Sequence, residues 1–145
     1  HWVEHRGFLE EVYRSTWNSL IELNLHLIRK IMAILDIDCE LVMASSIGAS
    51  GRKNELLVNQ CKELGADIYL SGTGAKAYLT PELFSNHGIS VAFQDFAHPV
   101  YPQLHGGFVP NLSVLDYLLC AEKYEWRSSM VLVTEARRNS NTSSP

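Results

Sequence analysis

The sequence predicts an α/β domain built around a central, mainly parallel sheet. Short apolar runs that end in polar turns alternate with segments of helical periodicity between residues 40 and 95. The connections between these runs are long enough for the right-handed crossovers that join parallel strands. A long segment of helical periodicity precedes them. Together these observations predict a β-α-β-α-β core that follows a long N-terminal helix.

The N-terminal helical pattern covers residues 3–35. Apolar residues recur at steps of three and four along its second half, which predicts one buried face. We expect a break near Ser15 and Thr16, with Thr16 or Asn18 as the N-cap of the second part. This helix is expected to serve as scaffold.

Three strands are predicted in the core, over residues 39–47, 66–71 and 89–94. In an open parallel sheet, ligands bind beyond the carboxyl ends of the strands. The turns at these ends are therefore expected to converge on one edge and to form a binding site. The polar and glycine residues of these turns are Ser45, Ser46, Ser71, Gly72, Thr73, Gly74, Asp95 and His98.

Two helical segments are predicted between these strands. A helix over residues 52–64 is expected to end at Gly65, in the left-handed conformation that often follows a helix. Residues 75–85 are expected to form a short helix or a pair of turns, in which Thr80 caps a helix that begins at Pro81.

The turn after the second strand contains Gly72 and Gly74. These glycines are expected to take backbone angles closed to other residues and to let a ligand approach the main chain. The helix that follows would then offer unpaired N–H groups to an anion. The alternative is an ordinary βα turn that binds nothing. The spacing is neither that of a dinucleotide-binding turn nor that of a P-loop.

Arg52 and Lys53 open a helix after a glycine loop, where their side chains could hold phosphate. The alternative is a pair of solvated basic residues. Tyr78, Tyr101 and Gln103 could stack on and hydrogen-bond to a sugar or a base, and the alternative for them is packing within loops.

His98 is the candidate general acid or base, because it follows a strand end and its unperturbed pKa lies near neutral pH. Asp95 would orient His98 or accept a substrate hydroxyl. His98 lies near the start of a long loop, residues 97–111, that is rich in proline, glycine and aromatic residues, and such loops are often functional. The alternative is that His98 only hydrogen-bonds to the backbone of this loop.

The composition suits one folded domain. The 145 residues are 46% hydrophobic and 19% charged, which predicts a domain over residues 1–136 and a disordered polar tail over 137–145. The net charge of −4 argues against nucleic acid as a partner. No apolar run approaches the ~20 residues of a membrane span. No group of residues has the spacing of metal ligands, so no metal site is predicted.

Several phrases, read in order, resemble the WbqC-like protein family over about residues 2 to 120. They are the first helix with its Trp and His residues, Ser45-Ser46-Ile47, Arg52-Lys53-Asn54-Glu55-Leu56-Leu57, Cys61-Lys62-Glu63-Leu64-Gly65-Ala66, Tyr69-Leu70-Ser71-Gly72, Tyr78-Leu79, His98-Pro99-Val100-Tyr101-Pro102-Gln103 and Asn111-Leu112-Ser113-Val114-Leu115-Asp116. The family is associated with bacterial gene clusters for O-antigen-type surface polysaccharides. The resemblance implies a cytoplasmic role in making or modifying activated sugars. It also implies a further N-terminal segment, a strand with a Pro-Tyr-Phe-Pro-like turn, which we expect this chain to lack.

These observations lead to a Rossmann-like, three-layer α/β domain and to three functional hypotheses. The first is a transferase that acts on a nucleotide-linked or amino sugar, with no certain cofactor and with a homo-oligomer as a possible assembly. The second is a non-catalytic binding or assembly subunit of the same pathway. The third is a cysteine-dependent acyltransferase or hydrolase, which requires Cys61 to be exposed near His98 or His105.

Overall fold

The computed structural model describes residues 1–122, 124 and 130–134. These residues form five α-helices and one three-stranded sheet, which confirms the predicted α/β class. They divide into two units, the first from residues 1–40 and 98–124 and the second from residues 41–97 and 130–134. The predicted tail lies outside the described residues, and the single domain over residues 1–136 stays a prediction.

The N-terminal helical segment of the first unit is broken, as predicted. Helix α1 covers Trp2–Arg14 and helix α2 covers Leu20–Ile34. The cap of α2 is Ser19 and not the predicted Thr16 or Asn18, because it is the Ser19 hydroxyl that accepts a hydrogen bond from the backbone N–H of Glu22.

The core of the first unit forms where a loop packs against the last helix among the described residues, which we number α5 (Val114–Cys120). Ser113 caps this helix by accepting a hydrogen bond from the N–H of Leu115. The buried residues of this core are Leu35, Tyr101, Tyr117, Leu118 and Ala121.

The second unit contains the sheet. Strand β1 (Ile68–Gly72) pairs parallel with β2 (Ser90–Phe96), which confirms two of the three predicted strands and their direction. Strand β3 (Met130–Thr134), which the sequence pattern did not predict, pairs antiparallel with β2. The sheet is therefore mixed, in the order β1-β2-β3.

The predicted strand over residues 39–47 is wrong. Ala44–Ser46 forms a short 3-10 helix, and none of the described residues 39–47 pairs with a strand. Leu41 and Val42 are 39% and 45% exposed. An apolar run can favour extended backbone, but a strand also needs a neighbour for its backbone hydrogen bonds. Among the described residues, the predicted β-α-β-α-β order therefore lacks its first strand and starts with its first helix.

Helix α3 (Asn54–Glu63) and helix α4 (Pro81–Ser85) lie on the other side of this unit's core from the sheet. Gly65 has a φ of 63°, as predicted for a residue that ends α3. Thr80 and Pro81 hold the predicted first positions of α4, although the Thr80 side chain makes no cap hydrogen bond. The buried core consists of Val58, Cys61, Ala75, Leu79, Phe84, Ile89, Val91 and Phe93.

No helix in the described part of the chain is both long enough and apolar enough to cross a bilayer.

Phe84 is the central side chain of this core, since it is 0% exposed and its ring stacks on Tyr69 with centroids 5.0 Å apart. We expect Phe84→Ala to lower the free energy of unfolding by about 3–5 kcal/mol, because it leaves a cavity that the parallel strands cannot close. Urea unfolding measures this loss. The control is Leu83→Ala on the same helix, at a side chain that is 42% exposed. A loss for Phe84→Ala as small as that of the control would contradict this account of the core.

Candidate functional site

The turn before α3 has two residues with left-handed backbone. Gly51 has a φ of 121°, and a Cβ atom there would lie 3.1 Å from Cγ of Glu55 and 3.2 Å from the backbone nitrogen of Leu56. Only glycine fits this position without displacing the first turn of α3. Lys53, the N-cap, has a φ of 51°, which is uncommon for a lysine. Such backbone persists only where its surroundings hold it, and it is enriched at functional sites.

Asn54 fixes this turn to the segment that follows β1. Its Nδ2 atom donates hydrogen bonds to the carbonyl oxygen of Tyr78 at 3.0 Å and to Oγ1 of Thr80 at 3.1 Å. A second amide, that of Asn59, donates to the carbonyl oxygen of Ser50 at 2.8 Å. Hydrogen bonds therefore hold α3 both to Ser50, which precedes the helix, and to Tyr78 and Thr80, which follow it.

A cavity of about 500 Å³ opens at the start of α3, and we call it the α3 cavity. It combines an ammonium group, a polar amide, two leucine side chains and an aromatic ring that is 68% exposed. A cation and an open aromatic face suit a ligand with an anionic group and a flat or sugar-like body. The residues that line the cavity are Lys53, Asn54, Leu56, Leu57 and Tyr78.

The predicted glycine turn after β1 differs from expectation. Gly72 has a φ of −72°, and neither Gly72 nor Gly74 has a positive φ, so neither needs an angle closed to other residues. The chain continues into a 3-10 helix, Thr73–Ala77, and then into α4, where the sequence predicted a short helix or a pair of turns. A Cβ atom at either glycine would meet nothing within 4 Å, so the space beside this turn is open.

The other predicted site residues of the second unit are mostly exposed. Ser45 and Ser46 lie in the 3-10 helix, and the Ser46 hydroxyl donates to the carbonyl oxygen of Met43 at 2.7 Å. Arg52 is exposed beside Lys53. Asp95 is exposed and lies one residue before the end of β2.

His98 belongs to the first unit, where it is half-buried in its loop. Its Nδ1 atom lies 2.9 Å from the carbonyl oxygen of Pro99. A carbonyl oxygen can only accept, so Nδ1 carries the hydrogen and the neutral ring has its lone pair on Nε2. The ring also contacts Tyr101 and Phe108, with centroids 5.9 and 5.7 Å away.

Tyr101 and Gln103 meet at Asp116 in the first turn of α5. The Tyr101 hydroxyl and Nε2 of Gln103 each donate to Oδ2 of Asp116 at 2.8 Å. Gln103 also pairs with the backbone of Val109 in both directions. These bonds join the predicted proline loop to α5, which corresponds to the loop-packing alternative for both side chains.

Burial raises the pKa of Tyr101, and its hydrogen bond to Asp116 raises it further. The hydroxyl therefore stays protonated at neutral pH and stays a donor to the carboxylate. The sequence pattern did not identify Asp116 as the hydrogen-bond partner of Tyr101 and Gln103, although Asp116 ends one of the phrases that carry the family resemblance. Its role depends on a contact with residues 13 and 15 positions away, which periodicity does not report.

Cys61 is buried in the core of the second unit, and burial raises the pKa of its thiol. A raised pKa leaves the thiol protonated at neutral pH, whereas a nucleophile must be a thiolate. His98 and His105 belong to the other unit. Within the described residues, no group of three or more His, Cys, Asp or Glu side chains could hold a metal ion.

A comparison with known protein families shows to which family the chain belongs. The model of the WbqC-like protein family matches residues 1–127. The chain belongs to the WbqC-like family. A relative, the uncharacterized protein Rv1507c of Mycobacterium tuberculosis, is 32% identical over 120 residues, which are 81% of this chain and 52% of that protein. This WbqC-like chain thus spans about half the length of that relative. No solved structure matches it.

The structure shows two sets of contacts between the phrases that mark this WbqC-like chain. The phrase that begins at His98 and the phrase that ends at Asp116 bind each other through Tyr101 and Gln103. The phrase that begins at Arg52 meets Tyr78 through the amide of Asn54. Both sets of contacts hold loops in place, and the second set also shapes the α3 cavity.

The three cysteines of the WbqC-like chain differ in burial, which allows a test of the third hypothesis. In the folded protein we expect a thiol reagent to modify Cys39, which is exposed, and to leave Cys61 unmodified. Mass spectrometry of peptides after timed labelling measures both, and labelling in urea shows that Cys61 reacts once unfolded. Labelling of Cys61 as fast as Cys39 in the native state would instead support a cysteine nucleophile.

Proposed function

We propose that this WbqC-like chain takes part in the cytoplasmic synthesis of bacterial surface-polysaccharide precursors of the O-antigen type. Its proposed activity is that of a transferase that acts on a nucleotide-linked or amino sugar. Family membership supports the pathway, through the gene clusters with which the resemblance associates the family. The α3 cavity is the observation that carries the choice of ligand, because a lysine and an exposed tyrosine line it together.

In this proposal Lys53 and Arg52 hold the phosphate groups of the substrate. Both are exposed next to the first turn of α3, whose positive end attracts anions. The Tyr78 ring stacks on the sugar or the base, and the apolar side chains of Leu56 and Leu57 exclude water from the other wall. The open turn at Ser71, Gly72, Thr73 and Gly74, together with Ser45 and Ser46, provides further polar contacts.

Proton transfer is assigned to His98, with Asp95 as its partner or as the acceptor of a substrate hydroxyl. The support for His98 is its tautomer, because the bond from Nδ1 to Pro99 leaves the neutral ring with its basic lone pair on Nε2. The proposal also includes a Rossmann-like sheet. The parallel β1–β2 pair, which is covered on one face by α3 and α4, supports that part.

A non-catalytic binding subunit of the same pathway is the second candidate. The observation that favours it is that the polar groups of Tyr101 and Gln103 already form hydrogen bonds with Asp116 and Val109. A loop built this way serves as structure, and the α3 cavity alone would then hold the ligand.

Binding at the α3 cavity can be tested by thermal shift with nucleotide sugars, free nucleotides, coenzyme A and inorganic phosphate. A ligand at ~100 times its dissociation constant should stabilise the fold by about 2.7 kcal/mol. We expect a shift with nucleotide sugars that Lys53→Asn removes, because asparagine tolerates a positive φ better than most residues do and carries no charge. Lys62→Asn, at an exposed lysine in the last turn of the same helix, is the control. A shift that survives Lys53→Asn would place the ligand elsewhere.

Catalysis can be separated from binding at His98. With a nucleotide sugar that binds, and with water as the acceptor that takes the sugar from the phosphate, we expect release of the nucleotide and a fall of about 10²-fold or more in that rate for His98→Asn. Asparagine can keep the hydrogen bond to Pro99 and removes the basic Nε2 atom. His105→Asn, at an exposed histidine of the same loop, is the control. Liquid chromatography of the nucleotides measures the rate, and binding without any release would favour the binding subunit.

A further inference from the structure

The ring of His98 lies in a triangle with two other aromatic rings of its loop. Its centroid is 5.9 Å from that of Tyr101 and 5.7 Å from that of Phe108. The Tyr101 and Phe108 rings contact each other edge to face, with centroids 5.4 Å apart. Rings in mutual contact restrict one another's rotamers, so the orientation of His98 depends on where the other two rings are held.

Tyr101 is the first of the two rings that border His98. It is 7% exposed, and its hydroxyl donates to Oδ2 of Asp116 at 2.8 Å. Its ring also meets the ring of Tyr117 edge to face, with centroids 5.1 Å apart. Asp116 and Tyr117 both belong to α5. Because a hydrogen bond to a charged acceptor is stronger than a neutral one, the hydroxyl end of Tyr101 is anchored to this helix.

Phe108, the second ring, is held through the residue that follows it. The backbone N–H of Val109 donates to Oε1 of Gln103 at 2.8 Å, and Nε2 of Gln103 donates to the carbonyl oxygen of Val109 at 3.0 Å. The same Nε2 atom uses its other hydrogen to donate to Oδ2 of Asp116 at 2.8 Å. Both rings that border His98 are therefore held through one oxygen atom of Asp116.

We propose that Asp116 is a positioning residue for His98. Through Tyr101 and Gln103 it keeps the imidazole where Nδ1 donates to the carbonyl oxygen of Pro99 at 2.9 Å. The hydrogen bond of one ring nitrogen decides which nitrogen carries the hydrogen, so this placement leaves the lone pair of the neutral ring on Nε2. The second oxygen of Asp116, Oδ1, accepts from the weak thiol donor of Cys120 at 3.8 Å.

This inference rests on the proposed function, in which Nε2 of His98 takes up a proton. A ring that is free to turn populates both tautomers, and only one of them has its basic lone pair on Nε2. A residue that merely stabilised the loop would change the stability of the protein and leave the tautomer of His98 unchanged. The tautomer is therefore the property that distinguishes positioning from a purely structural role.

The first test reads the tautomer of His98 from the nitrogen-15 chemical shifts of its ring in a long-range proton–nitrogen NMR spectrum. The full chain is labelled at histidine and measured at about pH 8.5, well above the ordinary pKa of a histidine side chain. His98→Asn identifies the signals of His98 among those of the six histidines.

We expect the unaltered chain to show one tautomer, with the hydrogen on Nδ1 of His98. Asp116→Ala should move both nitrogen shifts toward the average of the two tautomers. Asp116→Asn should keep the Nδ1 tautomer, because its amide oxygen can still accept from both donors. Asp38→Ala, at an exposed aspartate of the same unit, is the control and should leave the shifts unchanged. Circular dichroism shows which variants are folded.

The second test uses the rate of nucleotide release. We expect Asp116→Ala to lower this rate about 10- to 100-fold, because a misplaced catalytic group loses its productive geometry. The KM should change by less than about twofold, since the α3 cavity belongs to the other unit. In a His98→Asn background, Asp116→Ala should lower the rate by no more than about twofold further, because the two residues act through one group.

The proposal is overturned if His98 lacks the Nδ1 tautomer in the unaltered chain, or keeps it in folded Asp116→Ala. It is also overturned if folded Asp116→Asn shows the same mixture of tautomers as Asp116→Ala. If Asp116→Ala does not fold, Tyr101→Phe decides, because it keeps the ring and removes the hydroxyl, and an unchanged tautomer there has the same meaning.

Failure of the proposed function gives a different result. A chain that releases no nucleotide, or a change of tautomer without a change in rate, would remove His98 from the proposed chemistry. The NMR spectra would still decide whether Asp116 positions the ring.

Discussion

The parallel pairing of β1 with β2 is the constraint on which the second unit depends. Two parallel strands cannot be joined by a tight turn, so the chain between them must leave the sheet and return. It does so through the 3-10 helix Thr73–Ala77 and through α4, whose Phe84 then fills the core beneath Tyr69. This return also brings the carbonyl oxygen of Tyr78 to Asn54. The start of α3, and with it the α3 cavity, is therefore a consequence of how the two strands are connected.

The proposed ligand site depends on backbone that local sequence preference alone would not choose. Lys53 takes a left-handed conformation that lysine rarely adopts, and Gly51 before it leaves room for the first turn of α3. The strain is tolerated because the amides of Asn54 and Asn59 hold the turn from both sides. A lysine whose backbone is held in this way beside an open tyrosine ring suits the phosphate and sugar parts of a nucleotide sugar.

The first unit uses its polar residues differently. Asp116 accepts hydrogen bonds from Tyr101 and Gln103, so that a carboxylate half-buried in the unit holds a loop of prolines and glycines against α5. Hydrogen bonds to a charged acceptor are stronger than neutral ones. This explains why the tyrosine and glutamine that seemed suited to a ligand in the sequence serve the fold. It also leaves His98 as the residue of that loop to which the proposed chemistry is assigned.

The sequence by itself determined the family, the break between α1 and α2 and the parallel β1–β2 pair. Each of these depends on local patterns, such as apolar spacing, capping residues and glycine after a helix. Only the tertiary structure decided that residues 39–47 form no strand, because a strand exists only with a neighbour. It also decided that Gly72 needs no special backbone angle, that Tyr101 and Gln103 share Asp116, and that Lys53 and Tyr78 line one cavity. The last two outcomes depend on contacts between residues 13 to 25 positions apart, and the spacing of residues along a chain carries no information about them.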